Sequence, residues 1–341
     1  VGDLLVSLEG LKYADATDEK CRPCEFMKEN WTPGRKVHFV VGRGGKEIRL
    51  SPTLASLPSD VLAMMVGMHM LERAREHGTT FLQARLEKVD VYGGRVEAVR
   101  LREGDREIRI STPSLVNAAG PFLPHVARMM GIELPLSHEL HIKIAFRDHL
   151  RVVARDAPLL IWTDPTKLPW SPEEAATLAR SEETRPLLDE FPSGVHARPE
   201  GGPDSDVVLI QWTYDVRPVQ PVFPFAVDPH YPEIAFRGLA VMIPGLSAYF
   251  GRLPKPVVDG GYYTKTRENR PLIGPLPVKG GYLIGALSGY GIMSSCAAGA
   301  LLAAHLTGSL LPSYAPAFAL ERYQDPEYQR MLEKWEDTGQ L

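Results

Sequence analysis

The segment that most restricts the fold is 282–306. There an apolar run, a glycine turn and a helix of small residues follow without a break. Residues 282–287 read as a buried strand, and Ser288, Gly289, Tyr290 and Gly291 as a flexible turn. Residues 294–306 read as a helix ended by Gly308. A strand that feeds a helix through glycine belongs to an α/β layer. Glycine lacks a Cβ, so such a turn lets backbone approach a ligand closely. The helix behind it would direct free N–H groups and its positive dipole end at that ligand. Ile292, Met293, Ser294 and Ser295 carry no charge, so backbone donors would make the contact. A second reading stays open, in which the glycines serve only close helix packing.

Upstream, 36–41 reads as a strand and 42–45 as a turn. Ser59 caps a helix over 60–77, with Leu62, Met65, Val66, Met70 and Ala74 on one face and Gly78 as its stop. Three short strands follow in 81–92, then 96–101 and 107–110. Gly93-Gly94 and Gly104-Asp105 stand between them as turns, which makes a small β-meander. Leu115 and Val116 lead as a strand into Asn117-Ala118-Ala119-Gly120. From about 140 to 255 prolines become frequent, and strands are expected at 142–146 and 207–212. A polar helix is expected over 172–181 and a turn at 201–203. This stretch reads as a separate lobe with Trp162 and Trp212 in its core.

The 341 residues suffice for two domains or one two-lobed unit. The net charge is −4 with no long basic run, which argues against nucleic acid as a partner. The most apolar run, 299–306, falls far short of the roughly 18 residues of a membrane span. The start of the chain lacks a secretory pattern, and three cysteines are too few for a disulfide framework. A cytoplasmic location is expected. Cys21 and Cys24 form a CxxC pair, but Cys296 stands elsewhere and no second pair exists. A thiol pair without function is expected, and no metal.

Residues 261–274 read Gly-Tyr-Tyr-Thr-Lys-Thr-Arg-Glu-Asn-Arg-Pro-Leu-Ile-Gly. They resemble a block of the D-amino-acid oxidase-like FAD-dependent oxidoreductases, which include glycine oxidase and the sarcosine and dimethylglycine dehydrogenases. In that family an aromatic or Arg precedes Thr-Pro-Asp and then Pro-Ile-Ile-Gly. Gly285-Ala286-Leu287-Ser288-Gly289-Tyr290-Gly291 is similar to the family's Gly-x-Ser-Gly-His-Gly. Residues 116–122 resemble Val-Asn-Ala-Ala-Gly-Ala-Trp, with Gly131 where the next glycine falls. His196-Ala197-Arg198-Pro199-Glu200-Gly201 resembles an Arg-Pro-Glu-Gly strand, and 318–323 matches a common ending. The blocks keep the family's order over roughly 50–325.

The resemblance implies an α/β (α+β) protein. Its Rossmann-like FAD-binding domain is discontinuous, with a first part at 1–139 and a C-terminal part at 256–341. A mixed-sheet substrate domain at 140–255 separates them. It implies FAD as cofactor and a small-molecule secondary or tertiary amine or amino acid as substrate, oxidised at its C–N bond by hydride transfer to the flavin. The flavin edge that gains negative charge on reduction suits backbone donors at 288–293. The cofactor residues implied are Asn117, Ala118, Gly120, Gly261, Gly285, Ser288, Gly289, Tyr290, Gly291, Ile292 and Met293. Tyr263 and Tyr290 are the candidate catalytic residues, and Tyr262 is a further candidate for the pocket. Arg198, Arg267 and Arg270 are candidates for binding a substrate carboxylate, with surface ion pairs as their plain alternative. His141 and His196 are weaker candidates as bases.

Several positions depart from the family. The strand-GxGxxG-helix opening is absent, and Gly42-Arg43-Gly44-Gly45 has the wrong spacing to replace it. The expectation is an N-terminally truncated chain whose FAD pyrophosphate lacks its main cradle. Tyr263 stands where D-amino-acid and glycine oxidases carry a carboxylate-binding Arg. Tyr290 replaces the usual His, Met293 a Lys of the monomeric sarcosine oxidases, and Arg267-Glu268 the Pro-Asp. Two alternatives remain. One is a flavoenzyme of hydroxy compounds, like glycerol-3-phosphate dehydrogenase. The other is a non-catalytic fragment or subunit, held by a partner or in a homo-oligomer, without FAD.

Overall fold

A computed structural model describes residues 59–201 and 204–335, with side chains from Met65 onward, and before them the backbone of four strands. Those strands are β1 (Leu4–Leu8), β2 (Leu11–Lys12), β3 (Phe39–Arg43) and β4 (Lys46–Leu50), in the sheet order β2-β1-β3-β4. Cys21, Cys24, Gly44 and Gly45 lie outside the described residues. Helix α1 covers Ser59–Glu76, and Gly78, at φ 88°, turns the chain out of it. The apolar face expected of α1 is not a buried one, because Val66 and Met70 are each 44% exposed.

The meander follows as β5 (Arg85–Tyr92), β6 (Arg95–Glu103) and β7 (Arg106–Ser111), paired in that order. Residues 81–83, expected as a strand, form none, and Phe81 stays exposed. Strand β8 (Leu115–Asn117) runs through a short 3-10 turn into helix α2 (Leu123–Arg128). Strand β9 (Ser137–Arg147) reaches well beyond the expected 142–146. After it come β10 (Leu160–Ile161), β11 (Thr166–Lys167), α3 (Pro172–Leu178), β12 (Glu190–Phe191), β13 (His196–Glu200) and β14 (Val207–Gln211). Ser171 opens α3 with a capping box, accepting from the Glu174 N–H while the Glu174 carboxylate accepts from the Ser171 N–H.

Helix α4 (Tyr231–Met242) was not legible among the prolines before it. Its buried Ile234, Phe236 and Leu239 hold it to the core, and Gly238 lets the Trp212 ring approach. A Cβ at Gly238 would stand 2.3 Å from that ring. Trp212 is thus core as expected, whereas Trp162 is only half-buried. The chain ends in β15 (Val257–Lys265), β16 (Leu272–Pro275), β17 (Gly281–Gly285), α5 (Gly291–Thr307) and α6 (Pro326–Glu333).

The chain divides into two compact units. The smaller holds residues 1–70, 146–159 and 198–209, and the larger holds 71–145, 160–197 and 210–341. The larger unit contains most of a five-stranded sheet ordered β10-β13-β14-β9-β15. It also contains a three-stranded sheet ordered β16-β17-β8, in which β17 runs parallel to β8 and antiparallel to β16. That small sheet is covered on both faces. Leu272 and Leu283 join Leu123, Ala127, Val89 and Val96 on one side, and Ile273 joins Ala298, Leu301 and Leu302 of α5 on the other. Adjacent residues of β16 therefore feed opposite cores, as period-2 alternation requires of a sheet packed between two layers. The fold is mixed α/β.

Candidate functional site

The site is built within the larger unit, where β17 hands over to α5. Two residues other than glycine adopt left-handed backbone there, Ala286 at φ 54° and Ser288 at φ 50°. Each such residue costs on the order of 1–3 kcal/mol, and this kind of strain gathers where function demands a shape. The Ser288 N–H donates to the Thr264 carbonyl at 3.1 Å, which ties the turn to β15 one residue past Tyr263. The Tyr290 N–H donates to Leu287 at 2.8 Å. Helix α5 starts at Gly291, earlier than the expected 294, because Ser294 N–H already donates to the Tyr290 carbonyl. No side chain caps this end, and Ile292 and Met293 are 71% and 77% exposed. The first-turn amides of a long apolar helix therefore open outward, and Tyr290, Gly289 and Cys296 are exposed beside them.

The end of β8 contributes a second turn. Asn117 is buried, its Nδ2 donates to the Leu123 carbonyl at 2.9 Å, and its Oδ1 accepts from the Ala119 N–H. Its side chain shapes the chain rather than facing outward, whereas Ala118 and Gly120, the latter at φ 55°, are exposed. Gly285 is likewise a packing position. A Cβ there would lie 2.2 Å from Leu123 Cδ1, so the β17–α2 approach requires glycine.

Strand β15 pairs with β9 so that Tyr263 lies opposite Glu139, Gly261 opposite His141 and Lys265 opposite Ser137. Alternation puts these six residues on one face of the pair. His141 stacks on Tyr263 with ring centroids 3.7 Å apart and planes at 15°. Glu139 accepts from His141 Nε2 at 3.2 Å and from Lys265 Nζ at 2.6 Å. An ionised carboxylate only accepts, so His141 Nε2 carries a proton, and its Nδ1 lies 2.7 Å from the Thr213 hydroxyl. A Cβ on Gly261 would touch nothing, which leaves open space on this face beside Tyr263. Tyr262 points the other way. Its hydroxyl is engaged with Val222 N–H and carbonyl, and its ring packs on Phe223 and Phe225. His196, in turn, has its Nδ1 2.9 Å from the Gly194 carbonyl.

Burial alone would raise the Glu139 carboxyl, but the bonds from His141 and Lys265 and the Lys265 charge outweigh it and hold it low. Glu268 behaves alike, its burial outweighed by Arg322 and Tyr323. Burial lowers His138, whose Nδ1 is 3.0 Å from Thr264 Oγ1, below its ordinary 6.5. All three groups bind protons less readily folded than unfolded. Their stabilisation is complete above about pH 6.5, and is lost first through His138 and then through the carboxylates as pH falls. Melting temperature should therefore decline steadily on acidification below about pH 6.5. A rise over that range would contradict these environments, and His138→Gln should flatten the upper part of the curve.

The turn between β15 and β16 is held from within and from the C-terminal segment. Thr266 Oγ1 donates to the Arg270 carbonyl and accepts from its N–H. Glu268, fully buried, accepts at one oxygen from Arg322, Tyr323 and Tyr328. The candidate arginines separate here. Arg270 reaches the Tyr328 hydroxyl at 3.4 Å. Arg198 belongs to the smaller unit and pairs with Glu200 at 3.0 Å, its plain ion-pair alternative. Arg267 is exposed, and no carboxylate among the described residues pairs with it. Glu139, Thr213 and Lys265 were missed from the sequence, because a lone polar residue in a strand announces a solvent face rather than a buried cluster.

The site thus has two left-handed residues before an uncapped helix end, an open strand end at 118–120, and a stacked Tyr263–His141 pair. It can receive a planar group that accepts hydrogen bonds at one edge.

A sequence model described as FAD dependent oxidoreductase matches residues 62–305. No curated protein matches the chain. Among solved structures, the chain is similar to an L-proline dehydrogenase from P. horikoshii, at 16% identity and TM-score 0.53, covering 76% of this chain and 59% of that one. It is also similar to an iminodiacetate oxidase from Chelativorans sp. BNC1, at 15% identity and TM-score 0.51, covering 75% and 57%. The chain therefore spans less than two thirds of the length of either structure. Among the described residues, no helix is long and apolar enough to cross a membrane.

Proposed function

Because the chain belongs to the FAD-dependent oxidoreductase family, we propose that the site oxidises the C–N bond of a small amine or amino acid, with a flavin ring seated against 286–293. The observation that carries this reading is the Ser288 N–H bond to Thr264. It joins the strained turn and the open start of α5 to the strand that bears Tyr263. The residues present suit the ring half of FAD. Amides of Gly291, Ile292 and Met293 would hold its electron-rich edge, Ala118 and Gly120 would border it, and the space beside Gly261 leaves room next to Tyr263. When bound, FAD supplies the two-electron acceptor.

The chain's own groups would do the rest. Tyr263 stacks on His141 and so is fixed in orientation, and Tyr290 stands exposed at the helix start, with its hydroxyl available to a substrate. His141 is held by Glu139 and Thr213, with its Nε2 proton directed at the Glu139 carboxylate. The two similar structures are named for L-proline and iminodiacetate, both carboxylated amines, which favours an amine over a hydroxy substrate.

Protein saturated with FAD should show the bands of oxidised flavin, and anaerobic addition of L-proline or an N-methylated glycine should bleach them. Bleaching by hydroxy acids or glycerol phosphates alone would overturn the amine assignment. Flavin uptake without bleaching by any amine would overturn the activity.

A further inference from the structure

A cavity of about 580 Å³ opens next to the β9–β15 pair, with Glu139, Lys265, Arg267 and Trp335 on its walls together with Val216 and Pro218. Its volume lies within the roughly 300–1,000 Å³ of small-molecule sites. The charge balance is uneven. Both oxygens of Glu139 are engaged, one by Lys265 and the other by His141, so its charge is already matched by the Lys265 ammonium. Lys265, nearly buried, spends one of its three donors on Glu139 and is itself a wall residue of the cavity. Arg267 adds a second cation with no carboxylate partner among the described residues. Among the described residues the wall therefore carries one net positive charge, and the rest of it is largely apolar, with Trp335 among its residues.

We propose that this cavity binds a small organic monocarboxylate, with Arg267 and Lys265 gripping the carboxylate and Trp335 and the apolar wall taking the hydrocarbon part. The planar guanidinium fork matches a carboxylate in two parallel bonds, which a neutral amide cannot reproduce. This site needs no flavin, so its test is separate from that of the proposed activity.

The probe is 3-phenylpropionate, compared with its neutral amide by calorimetric titration of the full chain. The acid should bind at least about tenfold more tightly than the amide. Arg267→Gln should remove about tenfold of the acid's affinity and leave the amide unchanged. Arg267 is exposed, so this variant should melt as the parent does, whereas Lys265→Met strands Glu139 and serves only as a second, riskier variant. Equal binding of acid and amide, binding of neither, or an Arg267→Gln variant indistinguishable from the parent would each overturn the site.

Discussion

Replacing Arg322 with alanine should lower stability by about 3–5 kcal/mol, because it strands a buried carboxylate. The Arg322 side chain is 3% exposed and that of Glu268 is 0% exposed. The guanidinium donates twice to Glu268, at 2.7 and 3.1 Å, and also to the carbonyls of Arg270 and Pro271 at 3.0 Å each. Removing it leaves Glu268 without a cation, beside the Tyr323 and Tyr328 hydroxyls, and takes the C-terminal tie from the turn that links β15 to β16. In denaturant titration the midpoint should fall with little change in slope. The pair Glu268→Gln with Arg322→Met should recover much of the loss, because no charge is then left buried. An Arg322→Ala variant as stable as the parent would show that the C-terminal segment does not hold this turn.

Gly289→Val should act in the opposite manner, sparing the fold and removing the cofactor. Gly289 is exposed in the turn before α5, so a branched side chain meets no core there. It would instead stand in front of the amides of Gly291 and Ile292. FAD affinity should fall by about tenfold or more, which is ~1.4 kcal/mol or more, with an unchanged melting temperature for the flavin-free protein. Gly285→Ala provides the contrast, since its Cβ would strike Leu123 and the cost should appear as stability. If Gly289→Val retains full flavin affinity, the ring does not lie against this turn.

Residues 282–306 were legible because glycine, small residues and apolar period coincide there, and the structure places strand, turn and helix within a few residues of expectation. The meander was legible from Gly93-Gly94 and Gly104-Asp105, which sit at its two reversals. Two further roles were not. Gly285 also admits Leu123 and Asn117 also closes a turn, and packing of that kind is not visible in sequence. The polar face of β9 and β15 was hidden for a related reason. Glu139 and His141 stand on one strand and Tyr263 and Lys265 on another far along the chain, and their cluster exists only through strand register. Phe81 shows the reverse failure, an aromatic with strand propensity that finds no partner strand.

Contact between the flavin and the open amides at the start of α5 is read by hydrogen exchange of the peptide covering 286–295, measured with and without FAD. Exchange there should slow on FAD binding, most strongly at Gly291, Ile292 and Met293. FAD binding that leaves those amides exchanging at their free rate would contradict it.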